Sequence, residues 1–384
     1  MSGTLGKMPT YCVLHNGCDP LEVDAAGVRR RLRDTLGLIP APVEEADLVV
    51  FMGCTFSQQK EEEFERHLVS LCQPSNGRLV IASGCYLEKA MRCPNVKYCR
   101  ASEIVELVAS TLDLAPISQG SASLPIQAGS GIVLVSEGCY GCCTFCSVRL
   151  VRGQHRSRPV NEIIQDIRVL FHHNGSVKLA GQDVAAYGRD IGKTLWDLLL
   201  TISEEFPNIQ VELGPLGPEW LIRSKNDELS LLASKNISGN VHVPLQSASN
   251  TVLRRMQRRY TYEEFGNLWG RLCQVGVQKL STDLMAGFPG ETIEDHEKTL
   301  DFLATHRLAF AQVFMYEPRP GTEAALREPL PRRTRMERTM ELIAAYLSTS
   351  ARFRSVDIEN LALSTSEMLF NTNVQLEEDI TDES

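Results

Sequence analysis

Short apolar runs alternate along this chain with stretches in which apolar residues return every three or four positions. Runs at 11–14, 48–51 and 79–82 have strand length, and between the first two Val28, Leu32 and Leu36 share one helix face. Alternation of this kind predicts an α/β fold that opens with a parallel sheet and helical crossovers. One dipeptide follows each predicted strand: Gly17-Cys18, Gly53-Cys54 and Gly84-Cys85. The carboxyl ends of parallel strands lie along one edge, where ligands bind, so three thiols distant in sequence are expected to meet there. A metal or an iron–sulfur cluster is the expected guest, and glycine lets each turn close tightly against it. Cys12, Cys72, Cys93, Cys99 and Cys273 lack the pattern and read as core or surface thiols.

Residues 116–130, rich in Ser, Gly, Pro and Ala, predict a linker between a first domain at 8–115 and a second at 131–325. The second holds strand-like runs at 132–135, 177–179, 209–213, 241–245, 277–280 and 311–315. Helical patterns separate them, built on Ile163, Ile164, Ile167, Leu170 and Phe171, then Leu195, Leu198, Leu199 and Ile202, then Phe265, Leu268 and Leu272. Six βα units fall short of the eight in a closed barrel and predict an open, partial (β/α)6 barrel. A helix in 326–356, with Met336, Met340, Ile343 and Leu347 on one face, is expected to pack back on the body, and 357–384 reads as an acidic tail.

Of the 384 residues 43% are hydrophobic and 23% charged, which excludes a collagenous, coiled-coil or wholly disordered chain. No apolar run reaches the roughly 18 residues of a membrane span and no secretory leader is evident, so a cytoplasmic protein is expected. In a reducing cytosol, 12 cysteines point to metal ligation or catalysis rather than to disulfides. The net charge of -9 looks hostile to nucleic acid, but 357–384 holds eight acids and no Lys or Arg, leaving the remainder nearly neutral. Basic clusters at 29–33, 149–158, 254–259 and 332–338 are candidates to meet phosphate, or ordinary charged helix faces.

The chemistry concentrates after the first strand of the second series, in Cys139-Tyr-Gly-Cys-Cys-Thr-Phe-Cys146. Cys139, Cys143 and Cys146 are spaced to hold three corners of a [4Fe-4S] cube, leaving the fourth iron open to a substrate or cofactor. The rival is zinc with Cys142 as fourth ligand, but structural zinc normally takes two ligand pairs separated by a longer loop. C-x3-C-x-aromatic-C after the first strand of a partial barrel resembles the radical S-adenosylmethionine (SAM) enzymes. The likeness extends through Arg152-Gly-Gln-His-Arg-Ser-Arg-Pro, Leu179-Ala-Gly-Gln-Asp with Tyr187 and Gly188, and Pro244-Leu-Gln-Ser. It continues through Met256 to Tyr260, Thr282-Asp283, Gly287-Phe-Pro-Gly-Glu and Arg319-Pro-Gly-Thr. Over residues 10–325 the chain resembles the methylthiotransferase branch of that superfamily.

The resemblance implies two [4Fe-4S] clusters, an auxiliary one on Cys18, Cys54 and Cys85 and a SAM-binding one on Cys139, Cys143 and Cys146. It implies that SAM is split there to a 5′-deoxyadenosyl radical, which removes hydrogen from an unactivated carbon. A methylthio group built at the auxiliary cluster is then taken up, inside a dry cavity shared by both clusters. Phe145 is expected to cover the adenine of SAM. Gln182, Asp183, Gln246 and Asp283, at strand ends, are expected to contact SAM or the acceptor, or else to satisfy backbone. Gly287 and Gly290 are expected to admit the cofactor, and Arg152 and Arg158 to steady the SAM carboxylate or an acceptor phosphate. A reductant such as flavodoxin or ferredoxin is implied, and no membrane partner is expected.

Two departures fall beside the auxiliary cysteines. Leu21 and Gly53 stand where the family usually has asparagine, removing amides that would touch cluster sulfur. After Thr322 the sequence also reads as a helix and an acidic tail instead of the family's β-barrel module that grips the acceptor. The acceptor is therefore expected to be either transfer RNA adenosine or a small molecule or peptide. A cobalamin-dependent radical SAM methylase and a non-catalytic iron–sulfur RNA-binding protein are the alternative readings.

Overall fold

The computed structural model describes residues 8–54, 58–72, 77–85, 96–115, 131–238 and 240–353. The predicted linker at 116–130, the acidic tail at 357–384 and Cys93 lie outside them. The chain divides into two compact units, Met1–Glu137 with Val151–Gln182, and Gly138–Leu150 with Asp183–Ser384.

In the first unit, β1 (Thr10–His15) leads into α1 (Asp19–Leu36), β2 (Ile39–Pro40), β3 (Leu48–Gly53), α2 (Gln58–Leu71), β4 (Leu79–Gly84), β5 (Val96–Tyr98) and α3 (Ile104–Leu112). The described strands form a parallel sheet in the order β2-β1-β3-β4-β5. Every residue of β3 is buried, as expected of a central strand covered on both faces. Helix α1 turns Leu21, Ala25, Val28, Leu32 and Leu36 into the core that Val13, Val50 and Ile81 build from the sheet. Each such aliphatic side chain contributes about 1.5–3 kcal/mol on full burial. Pro20 fits the first turn because its missing N–H would have had no helical partner.

The same unit takes in β6 (Ile132–Leu134) and β7 (Ser136–Glu137), which precede α4 (Val148–Arg152), then β8 (Arg156–Ser157), α5 (Val160–Asn174) and β9 (Ser176–Ala180). β6 pairs with β9 in parallel, and β7 with β8 antiparallel. These residues, counted with the second domain on sequence grounds, group with the first unit because Val23 of α1 packs on Ile132, Leu134 and Ala180.

The second unit continues with α6 (Leu195–Glu205), β10 (Gln210–Leu213), α7 (Pro218–Leu221), α8 (Asn226–Ser230), β11 (Ile237–Ser238) and β12 (Val241–His242). It is completed by α9 (Asn250–Arg255), α10 (Tyr262–Gln274), β13 (Leu280–Ala286), α11 (Ile293–Thr305), β14 (Phe310–Met315) and α12 (Arg332–Phe353). β10 pairs with β11 and β13 with both β12 and β14, all in parallel. Thr194, Thr261 and Thr292 start α6, α10 and α11 with capping boxes closed by Asp197, Glu264 and Asp295.

Two expectations need correction. The fifth strand of the second series runs over Leu280–Ala286, not 277–280: Val277 still closes the end of α10 through its N–H to the Leu272 carbonyl at 3.0 Å, after Gly276 at φ +99. The buried face of α12 is Arg335, Arg338, Thr339, Leu342, Ile343 and Tyr346, while Met340 is 39% exposed. Buried arginines give that stripe a polar look in sequence.

Candidate iron–sulfur sites

Because β1, β3 and β4 are sheet neighbours, Cys18, Cys54 and Cys85 leave the sheet along one edge. Cys18 immediately precedes α1, and its carbonyl accepts the N–H groups of Leu21 at 2.9 Å and Glu22 at 3.0 Å. Hydrogen bonding to the Cys54 side chain, then burial, raises the Cys18 thiol pKa well above the usual range. Burial also raises Cys85, against a lowering pull from Arg152, and a charge on Cys18 would raise it further. Cys18 thus lies within electrostatic reach of both Cys54 and Cys85.

The glycines serve tight turns. A Cβ on Gly17 would lie 2.3 Å from Cys54 Cβ, and one on Gly84, at φ +92, would lie 2.7 Å from the Gly53 carbonyl oxygen. They let the cysteine turns pack on each other. The two departures are filled by protein as well: Leu21 is fully buried against these turns, and Phe64 occupies the space a side chain at Gly53 would need. An amide is nevertheless present. Asn16 Oδ1 accepts the Cys54 backbone N–H at 2.7 Å while its Nδ2 donates to the Lys60 carbonyl at 2.7 Å.

In the second unit, Cys139, Cys143 and Cys146 share one loop. The Gly141 N–H donates to Cys139 Sγ at 3.1 Å, and the Cys146 N–H to the Cys143 carbonyl at 3.1 Å. Burial pushes the Cys139 thiol up to about 11 and the Cys146 thiol up to about 12. Arg258, not singled out from sequence, donates through Nη1 to Cys143 Sγ at 3.1 Å and through Nε to Tyr260 Oη at 2.9 Å. Tyr260 in turn donates to the Leu245 carbonyl at 2.9 Å. The loop is also pinned through Thr144, whose N–H and Oγ1 donate to the Met256 and Arg255 carbonyls at 3.1 and 2.9 Å.

Cys142 instead contacts the Gln257 carbonyl and Arg259. Among the described residues no three His, Cys, Asp or Glu side chains converge as a single metal ion requires. A cube places each thiolate on a different iron, and two all-sulfur trios have the donor chemistry to hold one apiece.

The other predicted site residues fall variously. Asp183 accepts the Gly217 N–H and Trp220 Nε1–H, both at 2.8 Å, and burial raises its pKa. Gln182 Oε1 is buried with no hydrogen-bond partner, as suits an atom that meets a ligand. Gln246 holds φ +74, unusual for a side chain with a Cβ, where its backbone bridges β13. Asp283 faces His242 Nε2 at 3.0 Å.

Phe145 packs on the cluster of Val252, Met256, Phe288, Tyr316 and Ala324. A Cβ added at Gly287 would lie 2.5 Å from Arg335 Cγ, and one at Gly290 2.8 Å from Arg255 Nη1. Arg158 donates to the Leu134 carbonyl and pairs with Asp166, both at 2.8 Å. Arg152 lies beside Cys85, with Nε 3.4 Å from its Sγ, and its Nη2 is 2.7 Å from Asp24.

Residues 133–303 match the model of the Radical SAM superfamily, which defines the class of this protein. The chain is 31% identical over 329 residues to a threonylcarbamoyladenosine tRNA methylthiotransferase of Danio rerio, covering 79% of this chain and 60% of that protein. It is 30% identical over 370 residues to a tRNA-2-methylthio-N(6)-dimethylallyladenosine synthase of Acetivibrio thermocellus, covering 88% of this chain and 76% of that one. The chain belongs to the radical SAM methylthiotransferase family.

The fold is that of solved radical SAM enzymes. The methyltransferase TsrM of Kitasatospora setae superposes with a TM-score of 0.60 at 13% identity, over 83% of this chain and 75% of that one. The cobalamin-dependent enzyme OxsB superposes with a TM-score of 0.58 at 14% identity, over 83% and 55%. Among the described residues no helix is long and apolar enough to cross a membrane.

Proposed function

We propose that this chain is a radical SAM enzyme that forms a carbon–sulfur bond at an unactivated C–H, delivering a methylthio group. The observation that carries the reading is the sheet order, which brings the turns bearing Cys18, Cys54 and Cys85 to one edge, in addition to the C-x3-C-x2-C loop. Cys139, Cys143 and Cys146 would hold the SAM-binding [4Fe-4S] cluster, and the other trio an auxiliary one. Bound there, these groups supply an electron, a hydrogen-abstracting radical derived from SAM, and the sulfur that is transferred.

The chain's own residues orient and shield. Arg258 and the Gly141 N–H fix Cys143 and Cys139, while the pinning of Thr144 keeps the loop from shifting. Phe145 and Phe288 provide an apolar wall that excludes water. Gln182, whose Oε1 is buried without a hydrogen-bond partner, keeps its sequence-based assignment as a candidate contact to SAM or the acceptor. A reductant such as flavodoxin or ferredoxin is required, and the family names favour transfer RNA adenosine as acceptor over a small molecule or peptide.

The test incubates anaerobically reconstituted protein, reductant and methyl-labelled SAM with bulk transfer RNA or, separately, with a small-molecule and peptide extract. Label in a methylthioadenosine of the digested RNA is expected. Label as a plain C-methyl group, dependent on added cobalamin, would overturn the reading in favour of a cobalamin-dependent methylase. The absence of deoxyadenosine from cluster-loaded protein would favour a non-catalytic iron–sulfur protein.

A further inference from the structure

Arg152 closes α4, six residues beyond Cys146, yet its side chain serves the other thiol trio. It is 10% exposed and reaches two acceptors with different nitrogens: Nε is 3.4 Å from Cys85 Sγ, and Nη2 is 2.7 Å from Oδ2 of Asp24. Asp24, itself 14% exposed, lies on α1 in the turn beyond Leu21. A buried guanidinium is costly unless charge and hydrogen bonds compensate it, and here the carboxylate supplies the charge. The Nε–H stays directed at the thiol. The three thiols are thereby unequal, since Cys18 faces Cys54 whereas Cys85 faces a cation.

We propose that Arg152 is a positioning residue for the auxiliary cluster, raising its reduction potential through an N–H···S bond and a positive charge at Cys85, with Asp24 holding the guanidinium and moderating its charge. Hydrogen bonds and cations at a ligand sulfur stabilise the more negative, reduced cluster, which fixes the sign. The inference rests on the reading that Cys18, Cys54 and Cys85 hold a cluster.

The test uses full-length protein with Cys139, Cys143 and Cys146 replaced by Ala, reconstituted anaerobically and titrated potentiometrically with EPR detection. Arg152→Met is expected to move the midpoint to more negative potential, Arg152→Lys to move it less, and Asp24→Asn to move it to more positive potential. Iron bound in all variants at one unchanged midpoint overturns the inference while leaving the cluster reading intact. No iron in the parent protein with Arg152 present overturns both. Should Arg152→Met lose iron, the other two variants decide: shifts as stated support the inference, and two unmoved midpoints overturn it.

Discussion

At the scale of single residues, the candidate cysteines were legible as a pattern and the residues that surround them were not. The cysteines announce themselves by spacing, but Arg258 lies 115 positions from the Cys143 thiol it meets, and Asn16 lies 38 from the Cys54 amide it holds. No local pattern connects such pairs; only the sheet order and the path of the chain do. Replacing Arg258 with Met strips the Cys143 thiol and Tyr260 of a buried charged donor. Unfolding of the cluster-free protein in denaturant should show a loss of about 2–3 kcal/mol.

Gly17→Ala forces a methyl into the Cys54 side chain, so iron analysis should show the auxiliary iron lost and the other cluster retained. The thiols of Cys139 and Cys146 carry pKa values raised to about 11 and about 12 by burial. Because the folded values lie above the unfolded one, the stability they contribute is complete below the unfolded pKa and is lost as pH rises through the folded values. In the folded, cluster-free protein their alkylation by iodoacetamide, followed by mass spectrometry, should keep accelerating beyond pH 10. A plateau by pH 9 would contradict the assignment.

At the scale of elements, the strands and the helices with apolar faces were readable from periodicity, including all three strands that deliver the auxiliary thiols. The misreading of α12 has a physical cause. In α12 the buried stripe carries charge, because Arg338 pairs with Glu291 at 2.8 Å and Arg335 with Glu317 at 2.8 Å, so a search for apolar spacing settles on Met336 and Met340 instead. α2, β5 and α11 were passed over as well; in α11 the buried stripe again mixes polar residues, Asp295, His296 and Thr299, with Phe302 and Leu303.

Two measurements follow at this scale. Arg338→Ala leaves Glu291 buried without its partner, and thermal or chemical denaturation should show a loss of about 3–5 kcal/mol. Thr261→Ala removes the cap that accepts the Glu264 N–H at 3.2 Å and should cost about 1 kcal/mol.

At the scale of the whole molecule, sequence and structure converge on an α/β chain, and three of the candidate cysteines fall in each of its two compact units. The curated relative from Danio rerio extends well beyond the matched region, since the chain spans 60% of its length. The acceptor, unlike the cofactors, is therefore read from family names and not from residues in the site. Four arginines of the basic clusters are engaged internally: Arg152 with Asp24, Arg158 with Asp166, Arg335 with Glu317 and Arg338 with Glu291.

The central claim, two separately held clusters of which only one serves SAM cleavage, is tested most directly by counting iron against deoxyadenosine formation in three proteins. Wild type should bind about eight irons per chain, and Ala at either trio should leave about four, since each cube holds four irons. The protein lacking Cys18, Cys54 and Cys85 should still release deoxyadenosine from SAM, and the protein lacking Cys139, Cys143 and Cys146 should not. Wild-type protein that binds only about four irons, unchanged when Cys18, Cys54 and Cys85 are removed, would contradict the account.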